Sequence, residues 1–457
     1  MQPTVSHRRK SMDKILIPRG LQRTSFTKFL IWIFPWIALL SLGIYAIYLC
    51  LAEGLFHTNM DNRFAFGIWI FLDLTVIALG AGAFFTGFLL YILRRKELKA
   101  VINSAVVIGL ICYSGAILVL AVDVGQPIRA WFTFWHPNVH SMLTEVTFCL
   151  TCYLIVLFIE YIPIILKNRQ LRSIPKFLVF EFELHKLMPV FAGIGTFLSF
   201  FHQGSLGGLF GVLRGRPFAF REELGIWPST FFLFVISAAA AGPSFIMLTT
   251  WLVEKITRKQ LVKPEVYKFL GKVSGTMLIA YVLLKSIDTL FWINSTSPGN
   301  GFPAFEFYAT QSFGTWILFT EIVILGLIPA LILLSSRLRE NRKILLGAGF
   351  LVCTGIMLNR FVMTIQTLAL PTLPFDDFLT YAPSWEEVAT FLFVVAYGML
   401  LYSFTYRYSV IFPQERELAQ LNGELSQQEF ADSGNAKKSW QPKFISDLLN
   451  KFVSTKS

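Results

Sequence analysis

Residues 64–92 read FAFGIWIFLDLTVIALGAGAFFTGFLLYI, and LRRKELK follows at 93–99. About 20 apolar residues suffice to cross the hydrocarbon layer of a bilayer. This longer run carries one charge, Asp73, and ends at a basic cluster, so it reads as a membrane-spanning helix with an acid inside it. The same pattern repeats outward along the chain. Apolar runs between turn signals and charges lie at roughly 28–53, 64–92, 101–123, 141–166, 187–210, 229–252, 270–293, 313–335, 344–367 and 385–411. They predict an all-α polytopic membrane protein of ten transmembrane helices, arranged as two four-helix bundles plus two peripheral helices. The expected division is an N-terminal segment 1–27, a membrane domain 28–411 and a tail 412–457.

Composition agrees with that reading. Of 457 residues 54% are hydrophobic and only 15% charged, with a mean hydropathy of +0.59. A soluble chain carries roughly 25% charged residues, so a water-soluble enzyme is excluded. The first run is not a cleavable signal, being too long and followed by NMDNRF rather than a small-residue cleavage site. The five Cys all sit in apolar runs. Cys149 and Cys152 form a CxxC in mid-helix with no second pair, which reads as packing, the alternative being a metal or redox pair. No ligand set for an iron–sulfur cluster or another metal is expected in this chain.

Lys and Arg orient the stack. The first 28 residues carry seven of them, and the connections after the second, fourth, sixth and eighth runs hold RRKELK, KNRQLRSIPK, EKITRKQLVKPEVYK and SSRLRENRK. The other connections hold fewer, among them Arg63, Arg129, Arg214, Arg216 and Arg221. Short basic connections stay in the cytoplasm, so both termini are expected there. The net charge of +12 then needs no nucleic acid; anionic lipid headgroups account for it. The tail ends in WQPKFISDLLNKFV, which fits a short amphipathic segment lying on the membrane. The fourth and eighth runs each have a Glu near the outer end and a Pro near the inner end. Either a duplicated bundle or chance similarity between apolar helices gives that pattern.

An ionisable residue inside a membrane is costly and normally faces a partner, a cavity or a ligand. The candidates are Asp73, Asp123, Glu145, Glu160, His202, Lys285, Asp288, Glu321 and Arg360. Nearly all fall in the outer half, Glu160 being the exception. Lys285 and Asp288 are three apart on one helix face, and the simpler reading is that they neutralise each other. Asp73 lies about 13 Å in from the outer end of its run at 1.5 Å per residue and is the deepest acid. His202 sits in FLSFFHQGSLGGLFG beside Gln203 and Ser205, where Gly204, Gly207 and Gly208 leave room for something to approach. The plain alternative is an imidazole bonded to a backbone carbonyl. A neutral imidazole can also donate to a quinone oxygen or take a proton from a quinol, with an acid nearby for the second proton.

Six His are present. His185 and His202 lie about 25 Å apart along one helix, and His57, His136 and His140 fall near the outer surface. One outer haem between His202 and His136 or His140 is geometrically allowed; a haem stack across the membrane is not.

Four segments carry a resemblance: DVGQPIRAW at 123–131, SFFHQGSLGG at 199–208, LNRF at 358–361 and YAPSWEEVA at 381–389. With the ten runs and the basic face, the chain resembles the polysulfide-reductase/NrfD-type integral membrane family, in particular its ten-helix members such as the hydrogenase-2 membrane subunit and those of sulfate-reducer redox complexes. That resemblance implies a multi-pass subunit of the bacterial cytoplasmic (inner) membrane. It exchanges electrons between a quinone pool (menaquinone or ubiquinone) and a periplasmic ferredoxin-like iron–sulfur subunit, coupled to proton movement, and holds no haem or cluster of its own. Molybdopterin, hydrogenase or multihaem cytochrome subunits are the further partners it implies. Carried over by motif, Asp123, Gln126, Arg129 and His202 belong to the quinone pocket, with Gln203 and Ser205 beside it. His202, Asp123 and Glu145 are the expected catalytic groups, and Asp73, Glu160, Glu321 and Asp288 the expected proton path. A secondary transporter coupling an ion to a substrate through the same acids is the competing reading. A purely structural anchor would leave Asp73, Asp123 and His202 without a role.

Overall fold

A computed structural model describes residues 16–18, 20–62, 64–138, 140–168, 175–210, 229–296, 298, 315–369 and 379–421. Most of the N-terminal segment and the tail beyond 421 lie outside the described residues. So do Arg63, the whole connection 211–228 with Arg214, Arg216 and Arg221, and most of the connection 294–312.

The apolar runs form helices: α1 (Phe26–Ala52), α2 (Ile68–Gly80, continuing to Ile92), α3 (Ile102–Asp123), α4 (Met142–Leu166) and α5 (Pro175–Phe210). They continue with α6 (Ser229–Thr257), α7 (Pro264–Phe291), α8 (Thr315–Phe319, continuing to Leu334), α9 (Arg342–Phe361, continuing to Ala369), α10 (Trp385–Tyr408) and the short α11 (Glu415–Leu421). Among the described residues, nine helices are long and apolar enough to cross a membrane. The 36-residue α5 covers the remaining expected run and extends it towards the N-terminus. The chain is an all-α polytopic membrane protein.

Helices α2 to α5 pack around one another, α6 to α9 do the same, and α1 lies along α10, which rests on α3. The two groups meet where α2 crosses α6. A Cβ added to Gly82 would sit 2.7 Å from the Gly242 carbonyl oxygen, so the backbones touch there with no side chain between them. Helices α2, α7, α8 and α9 each contain or end in a π-helical turn, at Phe88–Ile92, Trp292–Thr296, Thr320–Leu327 and Val362–Gln366. Such turns insert a residue into the ladder and are frequent at functional sites.

The basic connections gather at one end of the molecule. Glu254 pairs with Arg342, Lys268 with Glu340, and Arg23 with Glu415, while the Asn168 amide donates to the Tyr408 carbonyl at 2.8 Å. At the opposite end the Asn59 amide donates to the Ala382 carbonyl at 2.8 Å, and the rings of Phe64 and Tyr381 stack at 4.8 Å.

Candidate functional site

The buried polar side chains fall into separate groups, and the expected site residues are divided among them. The first lies between α2, α3, α4 and α5. Ser199, His202 and Gln203 are spaced i, i+3, i+4, so α5 turns all three towards one side. The Tyr113 hydroxyl is 2.8 Å from that of Ser199, and the Gln203 amide donates to the Ile77 carbonyl of α2 at 3.0 Å. The Tyr113 ring stands edge-on to Tyr153 at 4.5 Å and 5.7 Å from the His202 ring. His202, Gln203 and Ser205 are fully buried. The imidazole lies within reach of the Val146 backbone, which can engage one ring nitrogen at most; the other closes no hydrogen bond, nor do the Gln203 Oε1 and Ser205 Oγ atoms. Buried polar atoms are almost always paired. Several unpaired ones in one place fit a pocket for a ligand that accepts and donates hydrogen bonds.

The glycines beside His202 have another use than the expected one. A Cβ on Gly204 would strike the Phe231 ring, and one on Gly207 the Thr230 carbonyl. These positions admit the start of α6 against α5.

A line of acids leads away from Tyr113. Asp73 is buried on α2, has one unpaired oxygen, and lies within electrostatic reach of both Tyr113 and Asp123. Asp123 ends α3, half-buried, and is within reach of Glu387. Glu387 is fully buried in the first turn of α10. Its Oε2 accepts from the Ser384 amide at 2.7 Å and the Asn59 amide at 3.1 Å, its Oε1 accepts from the Tyr381 hydroxyl, and the Ser384 hydroxyl caps the helix in return. Burial and the Glu387 contact push the Tyr381 phenol above its usual range, so it remains a donor at neutral pH. Next along, Glu386 is 3.5 Å from the His57 ring, whose other nitrogen lies 2.8 Å from Glu53 at the surface.

The remaining expected residues lie elsewhere. Gln126 and Arg129 are exposed on the turn after α3. Glu145 is half-buried in the first turn of α4, one residue before the Val146 that flanks His202. Glu160 is half-buried further along α4, near Tyr91 in the π-turn of α2. Glu321 and Asp288 belong to another buried group, between α6, α7, α8 and α9. There Glu321 Oε1 accepts from the Tyr281 hydroxyl at 2.8 Å and the Asn359 amide at 2.9 Å, with the Lys285 ammonium 3.8 Å away. Arg360 donates to Asn359 at 2.6 Å and to Ser237 at 2.9 Å. Cys149 is half-buried and Cys152 exposed, both as free thiols. Among the described residues, no three His, Cys, Asp or Glu side chains converge as metal ligands.

Two residues of the first groups were not singled out from the sequence. Tyr113 reads as packing in an apolar run. Glu387 carried a signal, the Ser-x-x-Glu spacing of a capping box at 384–387.

Comparison with known proteins agrees with the resemblance. The model of the family described as polysulphide reductase, NrfD, matches residues 57–371. The menaquinone reductase integral membrane subunit of Nitratidesulfovibrio vulgaris Hildenborough is 50% identical over 408 residues, 89% of this chain and 97% of that protein. A selenate reductase subunit of Mesobacillus selenatarsenatis is 23% identical over 83% of this chain and 94% of its own. The probable Ni/Fe-hydrogenase 2 b-type cytochrome subunit of Escherichia coli K12 is 23% identical over 78% of this chain and 86% of its own. By the extent of these matches and by its helical architecture, the chain belongs to the NrfD polysulphide reductase family.

Proposed function

We propose that this chain is the quinone-interacting membrane subunit of a respiratory oxidoreductase, exchanging electrons between the quinone pool and an iron–sulfur partner on the periplasmic side. The observation that carries the reading is the fully buried His202 beside the Tyr113 ring: the Val146 backbone can engage only one of its two ring nitrogens, and no other protein group takes the second. A quinone needs a donor at each carbonyl, and a quinol needs acceptors for two protons as two electrons leave. The name of the relative from Nitratidesulfovibrio vulgaris supports menaquinone as the quinone and its reduction as the direction.

In this reading His202 holds one quinone oxygen. Protons pass by Tyr113 and Asp73 to Asp123, and from there past Glu387 to Glu386 and His57 at the surface. Reduction draws two protons along this line and oxidation returns them. Glu145, one residue before Val146, is the acid assigned to the pocket with Asp123 as the acid at the outer end of α3, and Gln126 and Arg129 are assigned to its outer rim. Glu160, Asp288 and Glu321 lie apart from Asp73, and we assign them to a second stretch of the proton path. The chain supplies no haem or cluster in this scheme, so the purified subunit freed of cytochromes should lack a Soret band.

The test is His202→Ala in the intact complex reconstituted in liposomes. Quinone-linked turnover should fall about 10²–10⁴-fold, while electron transfer among the soluble partners, followed with dyes, stays unchanged. Full quinone turnover with normal affinity would move the pocket elsewhere.

A further inference from the structure

Away from the His202 group, a cleft of about 730 Å³ runs between α1 and α10 on one side and α2, α3 and α6 on the other. Its lining on α10 extends from Phe391 to Arg407, about 24 Å at 1.5 Å per residue. The walls are mostly apolar, with Phe245, Met357 and Met399 among them, and among the described residues that line it none is acidic.

Its mouth lies at the basic end. The segment Gln22–Thr24 crosses there, held by the Lys259 ammonium at the Gln22 carbonyl (2.9 Å) and by the Arg407 guanidinium at the Thr24 carbonyl (3.0 Å). Arg23 is held by Glu415 and by the Tyr406 carbonyl. Lys28, in the first turn of α1, is exposed and makes no hydrogen bond or ion pair among the described residues. A greasy slot thus opens beneath a rim carrying Lys28 and Lys259.

We propose that the cleft is a binding site for one anionic phospholipid, its acyl chain in the slot and its phosphate at Lys28 and Lys259. Two observations select this occupant. The first is charge: cations near a membrane surface attract anionic headgroups, and a quinone tail or a neutral lipid gains nothing from them. The second is shape. The slot is mostly apolar and about 24 Å deep along α10, with its cations at one end only, which matches a molecule with one charged head and a long hydrocarbon chain. A lipid there would tie α1 and α10 to the rest of the molecule across a gap that protein side chains leave open.

The experiment uses the intact complex, purified mildly and then exchanged into nanodiscs of phosphatidylglycerol or phosphatidylcholine. Native mass spectrometry reads the lipid retained on this chain. Wild type should keep one phosphatidylglycerol and release phosphatidylcholine. Lys28→Gln with Lys259→Gln should lower that retention about tenfold or more. Thr249→Trp, which fills the slot from α6, should abolish it, and both variants leave the His202 group intact. Equal retention of the two lipids, retention unaffected by the paired Lys variant, or displacement of an isoprenoid quinone by Thr249→Trp would overturn the proposal. So would a cross-link from Thr249→Cys to a helix of a partner subunit.

Discussion

The rings of Tyr113 and His202 lie 5.7 Å apart, and the hydroxyl of the same tyrosine is 2.8 Å from that of Ser199. One side chain therefore touches the imidazole, is fixed on α5, and faces Asp73 on α2. Tyr113→Phe keeps the ring and removes the hydroxyl. Quinone affinity should change little, while turnover falls by about 10-fold or more, since a positioned proton carrier is worth about 10²–10⁴. Binding titrations and turnover on the same liposomes separate the two. Unchanged turnover would exclude the hydroxyl from proton transfer.

Asp73→Asn is nearly isosteric and removes only the ability to hold and release a proton. Quinone should still bind, and charge movement in liposomes, read with a potential-sensitive dye, should drop together with turnover. Loss of binding with normal charge movement would transfer Asp73 from the path to the pocket.

Glu387→Gln should act on stability as well as on turnover. The carboxylate accepts two backbone amides and a hydroxyl at a fully buried position. An amide has one acceptor oxygen and turns an NH₂ towards those donors. The cost is about 1–3 kcal/mol, visible as a lower thermal midpoint of the purified complex. Asn59→Ala, which keeps its backbone amide, should not reproduce it through this contact.

Orientation is testable with single cysteines in a background lacking the natural ones. Ile128, 87% exposed beyond α3, should label from outside intact cells when replaced by Cys. Lys96 and Glu340, exposed at the basic end, should label only after the membrane is opened. The reverse pattern would invert the molecule and put the acid line at the cytoplasmic face.

The helices were legible because hydropathy and length are local properties, and the charged connections marked their ends. The site was legible only in part. Sequence gives a residue's depth along a helix but not the direction it faces. Asp73, Glu160, Asp288 and Glu321 are expected together as intramembrane acids, yet Glu321 is turned towards Tyr281 and Asn359, on helices packed away from Asp73. Gly204 and Gly207 signalled a close approach correctly, but not that a neighbouring helix makes it. Tyr113 carried no signal at all, because an aromatic in an apolar run looks the same whether its hydroxyl is used or merely tolerated.

The crossing at Gly82 and Gly242 has a consequence for how this chain can change. At most helix contacts a bulky substitution on one side can be rescued by trimming the residue opposite. Here each position already holds the smallest residue there is, and although the tip of Ile246 also lies at Gly82, trimming it would leave the main chain of the other helix in the way. No compensating exchange exists at the contact itself. A suppressor of Gly82→Ala must therefore arise at a distance, by letting a whole helix shift, which makes this pair a one-way constraint on the drift of the sequence.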